Sequence, residues 1–410
     1  MSQILGYTLL TVLTVDLLAT TGDLAITWTS PVLTKLYSND SEINPFGRPI
    51  TADEDSWIVS LINIGAMIGP FPYGYIADKY GRKIGLLAVS VPSIVSFLIL
   101  AFSRSVYLYY FARLLSGISV GGGYTLLPMY VAEIAEDSNR GPESPRYLIE
   151  KKDIVGAERS LMKLRSQNKK AVEAEIDNIK LGIKQTETKG NFLDLFRSRV
   201  YIKGLVISTV LVVAQELSGI SAVLFYTEEI FTSSGDGGMA PELSSIVTGI
   251  VVFLSSFATP FLSDRWGRRL LILISLMGVF LSHLALGAYF YLQTSTDVDV
   301  TGISWLPLFS LIMFFVMYNF GMGPLPWTVS SELFPVSVKS YAASLVSCVC
   351  WTTSFLVTKF FNNLNEAIGQ GQTFWLFGGF CLATWVFTIF FVPETKGKSF
   401  QEIQEILEKR

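Results

Sequence analysis

The chain has 410 residues, half of them apolar and only 16% charged, with a formal net charge of −3 and a positive mean hydropathy. Water-soluble globular proteins of this length are not built with so little charge, so the composition assigns a membrane class before any motif is read. Nothing in it suggests nucleic-acid binding.

A helix needs about 20 apolar residues to cross a hydrocarbon core of roughly 30 Å. Stretches of that kind run near 4–34, 56–77, 84–103, 107–135, 201–226, 243–263, 269–292, 305–331, 341–361 and 373–392. These are ten candidate spans, four before residue 140 and six after 200, and they predict an all-α polytopic fold. Proline and glycine interrupt several spans, which membrane helices tolerate when neighbours satisfy the freed backbone groups. The first span has no basic residue before it and no small-residue cleavage site, so it reads as a retained helix, not a signal peptide. It carries Asp16 and Asp23. An ionised acid at the bilayer centre costs about 2.5–3.5 kcal/mol, so both should face the bundle or water.

Lys and Arg concentrate in alternate loops: Lys79, Arg82 and Lys83, then the stretch from Arg146 to Arg199, then Arg265, Arg268 and Arg269, and finally Lys396, Lys398, Lys409 and Arg410. The loops near 227–242 and 293–304 contain Glu228, Glu229, Asp236, Asp297 and Asp299 but no Lys or Arg. The positive-inside rule therefore places the basic loops and both termini in the cytoplasm. Asn39-Asp40-Ser41, the only N-x-S/T sequon, falls in an outer loop, as glycan attachment at Asn39 requires.

The charged clusters come in two sets. Asp78-Lys79-Tyr80-Gly81-Arg82-Lys83 recurs as Asp264-Arg265-Trp266-Gly267-Arg268-Arg269, Glu133 is answered by Glu332, and Pro142-Glu143-Ser144 by Pro393-Glu394-Thr395. Glu332 and Glu394 are 62 residues apart, Glu133 and Glu143 only 10, a shortfall of 52 residues. That is roughly two membrane helices with their turns. The reading is a duplicated membrane protein whose first half lacks two helices: a four-helix bundle over 1–140, a cytoplasmic loop with short amphipathic helices over 141–200, a six-helix bundle over 201–392 and a tail over 393–410. Two helices lost together leave the direction of all later spans unchanged.

Charges at the cytoplasmic ends of helices have their own rationale. A carboxylate and a guanidinium there form partly desolvated, bidentate bonds that hold bundle ends together and break when the bundles rock apart. The plainer alternative is that they anchor helix ends, since an isolated exposed pair contributes only about 0–1 kcal/mol. Within the spans, Gln215, Gly219, Ala222 and Tyr226 share one helical face by their i, i+4, i+7 and i+11 spacing. Cys348, Cys350 and Cys381 read as reduced thiols packing as small apolar groups, and His283, the only histidine, as a packing residue near the membrane interface. No metal-ligand cluster, nucleophile-base pair or phosphate loop appears, so neither an enzyme nor a cofactor is expected.

Further motifs carry a family resemblance. They are Trp28-Thr29-Ser30-Pro31, Gly74-x-x-x-Asp78-x-x-Gly81-Arg82-Lys83, Arg113 with Pro128-x-Tyr130-x-x-Glu133, Gln215-x-x-Ser218-Gly219, Gly321-x-Gly323-Pro324-Leu325-Pro326-Trp327, Glu332-Leu333-Phe334-Pro335 and Pro393-Glu394-Thr395-Lys396-Gly397. In order and spacing the chain resembles the sugar porters of the major facilitator superfamily, and within them the facilitated trehalose and glucose transporters of insects. The resemblance implies a sugar-binding set of Gln215, Glu216, Ser221, Asn319, Trp327 and Trp351. It also implies a cytoplasmic charge network pairing Arg82 with Glu133 and Arg268 with Glu332, joined by Asp78, Arg140, Glu143, Arg146, Asp264, Lys339 and Glu394. Amide and hydroxyl side chains beside tryptophan suit a sugar, which offers hydroxyls and apolar C–H faces.

The chain departs from the family in several places. Glu216 stands where a second Gln is usual, Ser221 where Asn is usual, Cys350 where an amide often precedes Trp351, and Pro260 and Ala112 where glycine is expected. The family's fifth and sixth helices belong between Gly141 and Pro142, which here are adjacent. Without them the cavity should open sideways.

The expected function is facilitative transport of trehalose or a hexose across the plasma membrane by alternating access, with the sugar and the bilayer as partners. A truncated, transport-deficient form or a sugar sensor is the alternative of a different class. Proton-coupled symport through Asp23 is a further one, because proton-coupled relatives carry an acid in this helix.

Overall fold

In hydrocarbon a backbone must satisfy its own polar groups, so long apolar runs fold as helices. The computed structural model describes residues 17–18, 20–135, 192–233, 241–256, 262–263, 265–296, 299–398 and 400–409, and isolated positions 149, 154, 156, 158 and 176. After a helical stretch over 20–27 come α1 (Thr29–Leu36), α2 (Ala52–Ile68), α3 (Pro70–Tyr80), α4 (Arg82–Phe102) and α5 (Val106–Ala135). The later helices are α6 (Asp194–Arg197), α7 (Arg199–Leu217), α8 (Ile220–Ser233), α9 (Pro241–Ser256), α10 (Arg268–Ser295), α11 (Leu306–Met317), α12 (Leu325–Leu333), α13 (Val336–Ile368), α14 (Gln370–Phe391) and α15 (Phe400–Lys409).

Among the described residues seven segments are long and apolar enough to cross a membrane: Ala52–Ala77, Arg82–Phe102, Arg199–Thr227, Arg268–Ser295, Thr301–Leu333, Val338–Ile368 and Gln370–Phe391. Each matches an expected span and most overrun it, because the helix continues through polar turns that hydropathy does not count, such as Asn362–Ile368. The expected span 107–135 coincides with α5, whereas 4–34 and 243–263 extend beyond the described residues. The amphipathic segment 150–189, with Ala157, Leu161, Leu164 and Val172, lies outside them almost entirely.

The chain divides into two compact units, one of residues 1–27 and 61–189, the other of 28–60 and 190–410. In the first unit, α2 and α5 approach backbone to backbone: a Cβ on Gly65 would fall on the Leu114 carbonyl, and one on Gly117 on the Ile62 carbonyl. Small residues at such a crossing let dispersion act between whole helices where lipid supplies no hydrophobic drive. Beside it, α4 meets α5 through the buried hydrogen bond between Ser96 Oγ and Ser116 Oγ at 2.5 Å and through Ser119 Oγ donating to Val89 O at 2.6 Å. The fully buried Arg113 guanidinium donates to the Ala25 carbonyl.

In the second unit, residues 28–60 are held by polar contacts. Lys359 Nζ on α13 lies 2.8 Å from Asp53 Oδ1, donates to Ser56 Oγ at 2.7 Å and sits 4.2 Å from the centroid of the Trp57 ring. Asn362 Nδ2 and the Tyr37 hydroxyl each donate to Asp55 Oδ2 at 2.9 Å. Asp53 is 77% exposed, so its ion pair alone is worth about 0–1 kcal/mol. The cation–π contact adds about 0.5–2 kcal/mol. The three free thiols, Cys348, Cys350 and Cys381, are packed in helices of this unit.

Replacing Gly117 by leucine should lower the melting temperature of the detergent-solubilised protein, with a loss of about 1–3 kcal/mol from overpacking; Gly74→Ala, where a Cβ meets open space, should leave it unchanged. A thermal ramp followed by size-exclusion fluorescence reads both.

Candidate functional site

Two breaks in otherwise continuous spans shape the interior of the second unit. The first follows α7, where Gly219 takes φ +79 and Ser218 closes the helix. Glycine is needed there because a side chain would meet both a left-handed backbone and the Phe377 ring. The break also corrects the single-face reading of the sequence: Gln215 belongs to α7, Ala222 and Tyr226 to α8, and Tyr226 itself is non-helical at φ −114, ψ 20. The second break lies between α11 and α12, where Tyr318–Met322 form a π turn closed by Gly323 N–H donating to Tyr318 O at 2.8 Å. Pro324 and Pro326 lack the N–H that a continuing helix would use.

Polar side chains take up the freed backbone groups. Ser275 Oγ donates to Met317 O at 2.6 Å and accepts from Met322 N–H at 2.8 Å. Gln215 Nε2 donates to Gly323 O and to the Tyr318 hydroxyl, both at 2.9 Å. His283 Nε2 lies 2.8 Å from Ser218 O. A carbonyl can only accept, so that nitrogen carries the proton. His283 is 1% exposed and its ring stacks on Phe374, so it is a core residue in mid-helix, not the interface residue expected from sequence.

The other expected binding positions are distributed over α7, α8, the π turn, α12 and α13. Glu216 Oε2 accepts from Ser221 Oγ at 2.6 Å, and Ser221 Oγ lies 2.8 Å from Ser354 Oγ. The Cys350 thiol sits 3.5 Å from Glu216 Oε1. Gln215, Glu216, Ser221 and Cys350 are each less than a tenth exposed. Gln215 Oε1 is buried with no hydrogen-bond partner among the described residues. Asn319 belongs to the π turn, and its amide nitrogen donates to Val252 O at 3.1 Å and Ser255 Oγ at 2.8 Å. Trp327, in the first turn of α12, is 38% exposed, and Trp351 on α13 is half-buried. Ser275, Tyr318 and Ser354 were not anticipated, although a serine within an apolar span is a sequence signal of the same kind as Gln215.

Of the second-half charge cluster, one ion pair and one helix cap lie among the described residues. Arg268 Nη2 lies 3.3 Å from Glu332 Oε1. Glu394 caps α10, with Oε1 accepting from Arg268 N–H at 3.0 Å and from Lys396 N–H at 2.9 Å, and Oε2 from Arg269 N–H at 3.1 Å. A carboxylate on the first amides of a helix is favoured by both hydrogen bonding and the helix dipole. Lys339 is exposed. In the first half, Arg82 is buried and donates to Ala77 O at 3.2 Å. The side chains of Asp78 and Glu133, and Arg140, Glu143, Arg146 and Asp264 altogether, lie outside the described residues, and so does Asp16. Asp23 is exposed and accepts from the Tyr124 hydroxyl at 2.7 Å, and Asn39 is exposed in its loop.

The family model described as "Sugar (and other) transporter" matches residues 17–141 and 142–407, two segments that meet where Gly141 adjoins Pro142. The facilitated trehalose transporter Tret1 of Bombyx mori is 33% identical, over 87% of this chain and 79% of its own. That of Polypedilum vanderplanki is 32% identical, over 93% and 84%. Among solved structures, the proton:xylose symporter XylE bound to 6-bromo-6-deoxy-D-glucose superposes with a TM-score of 0.73 at 21% identity, covering 98% of this chain and 100% of that one. An inward-open XylE from E. coli gives the same score and identity over 96% and 99%. This likeness establishes the all-helical major facilitator fold.

The Glu394→Gln variant should be destabilised by about 1–3 kcal/mol, because an amide offers one acceptor oxygen to three backbone donors and places its own N–H groups against them. Thermal unfolding of the solubilised protein would show this, and Glu394→Asp should lose less.

Proposed function

We propose that this chain, which belongs to the sugar (and other) transporter family, is a multi-pass plasma-membrane carrier that moves trehalose or a hexose down its gradient by alternating access. Relatives named facilitated trehalose transporters support the cargo class and the uncoupled mode. Catalysis of a covalent step has no place in this reading.

One observation carries the site. Gln215 Oε1 is a buried acceptor left open in the middle of a membrane span. Such a group costs free energy unless a donor reaches it, and a sugar hydroxyl is such a donor. In the proposal Gln215 Oε1 accepts from the cargo, and Glu216 and Ser221 supply further polar edges. Trp327 and Trp351 give apolar faces to the sugar C–H groups, and Asn319 closes the set from the π turn.

The organisation we propose is an N-terminal bundle of four spans over 1–140 and a C-terminal bundle of six over 201–392, with both termini cytoplasmic. The meeting of the two matched segments at 141/142 supports a deficit at that point. Arg268 with Glu332, and Arg82 with Glu133, latch the cytoplasmic side, joined there by Asp78, Arg140, Glu143, Arg146, Asp264, Lys339 and Glu394. Asn39 is the glycan acceptor of the outer face.

The test is uptake of labelled trehalose and glucose by cells expressing the chain, with surface protein measured in parallel. Specific, saturable uptake indifferent to an imposed pH gradient is expected, and Trp327→Ala should lower it at least tenfold with surface protein unchanged. Absence of uptake by chain at the surface would overturn the proposal in favour of a non-transporting product, and pH-driven accumulation would replace uniport by symport through Asp23. Peptides from trypsinised membranes that cross Arg140 to Arg146 should read continuously from Gly141 into Pro142.

A further inference from the structure

We infer that Lys359, gripped by Asp53, Ser56 and Trp57, is the key of a second latch, at the membrane face opposite the Arg268–Glu332 pair, and that this latch must release for the outer side to open. The inference rests on the two-bundle reading above. There, Asp53, Asp55, Ser56 and Trp57 belong to the N-terminal bundle, and Phe355, Lys359 and Asn362 to the C-terminal one. Packing, however, groups residues 28–60 with 190–410 in one compact unit, so this segment is bound to the half of the chain to which its sequence does not assign it.

The contact has the build of a reversible clasp. Its elements are the first two turns of α2 and the last four turns of α13. Lys359 meets a carboxylate, a hydroxyl and a ring face at once. One turn on, Asn362 donates to Asp55, which the Tyr37 hydroxyl also reaches. One turn back, the Phe355 and Trp57 rings lie 6.3 Å apart, tilted at 47°. Lys359 is 12% exposed while its partner Asp53 is 77% exposed. Water already solvates the carboxylate while the clasp is shut, so the pair is weak enough to part and re-form. The sequon loop at Asn39 adjoins α2 on this same end, and the Gly81–Arg82 turn lies beyond the other end of the α2 and α3 pair.

The test reads the thiol of Cys350, buried on α13 deeper in the same unit. Intact cells expressing the full chain are treated from outside with a charged, membrane-impermeant methanethiosulfonate, and modification of Cys350 is followed by mass spectrometry. Lys359→Met should raise the initial labelling rate at least threefold over wild type, Asp53→Asn by a smaller factor, and the exchange Asp53→Lys with Lys359→Asp should return it towards wild type. Equal rates in wild type, Lys359→Met and Asp53→Asn would overturn the latch. If Lys359→Met does not reach the surface, Asp53→Asn and the exchange variant decide in the same way.

Sugar uptake by the same cells separates this inference from the function it rests on. Uptake with unresponsive labelling removes the latch and leaves the carrier. Responsive labelling without uptake removes the carrier and leaves a gate between two states of the chain.

Discussion

A helix interrupted inside a membrane exposes backbone N–H and C=O groups that hydrocarbon cannot bond, and each such group costs several kcal/mol unless a neighbour reaches it. This requirement governs the second unit. Ser275 bridges the two ends of the π turn, Gln215 reaches Gly323 O beyond it, and His283 reaches Ser218 O at the break after α7. The polar residues in these spans are thus structural before they are functional, and their positions follow from the breaks. The cluster of Glu216, Ser221, Ser354 and Cys350 forms where α7, α8 and α13 converge beside that first break. The candidate site is organised around interrupted backbone, with side chains placed by the repair.

The spans were legible because hydropathy and helix length obey the same constraint. Even the overruns are lawful: the sequence shows where lipid ends, whereas the backbone stops only at a cap or proline. The π turn was legible in part, since Gly321, Gly323, Pro324 and Pro326 mark an interruption, but its hydrogen-bond register depends on Ser275, which comes from another helix. The shared face of Gln215, Gly219, Ala222 and Tyr226 failed for a related reason, because periodicity assumes a continuous helix and Gly219 at φ +79 ends one. His283 was assigned to the interface because a lone histidine is usually placed by its polarity. In this chain its proton serves a carbonyl that only the break leaves open.

The recurrence of Asp-x-x-Gly-Arg singled out Arg268, that of Pro-Glu singled out Glu394, and the answering of Glu133 singled out Glu332; Arg268 and Glu332 are paired. That Glu394 would bond backbone amides at the start of α10 does not follow from sign and spacing, which count charges and ignore the dipole of a helix end. Nor did sequence point to Lys359: a single lysine near the end of an apolar span reads as an anchor, and its three partners lie some three hundred residues earlier in the chain.

The division of labour within Gln215 has a chemical consequence. Its amide nitrogen is committed to Tyr318 and Gly323, and only its oxygen faces an empty valence. An amide that is usually ambivalent towards its ligand has thereby become one-directional. In the proposed carrier this position distinguishes groups by the polarity of their hydrogen bond: a hydroxyl satisfies it, whereas a fluorine or ether oxygen of almost the same size presents a second acceptor to the first and is refused. On that proposal, selectivity at this point would be set by a carbonyl on another helix, and it would relax if the π turn were straightened, with no change at Gln215 itself.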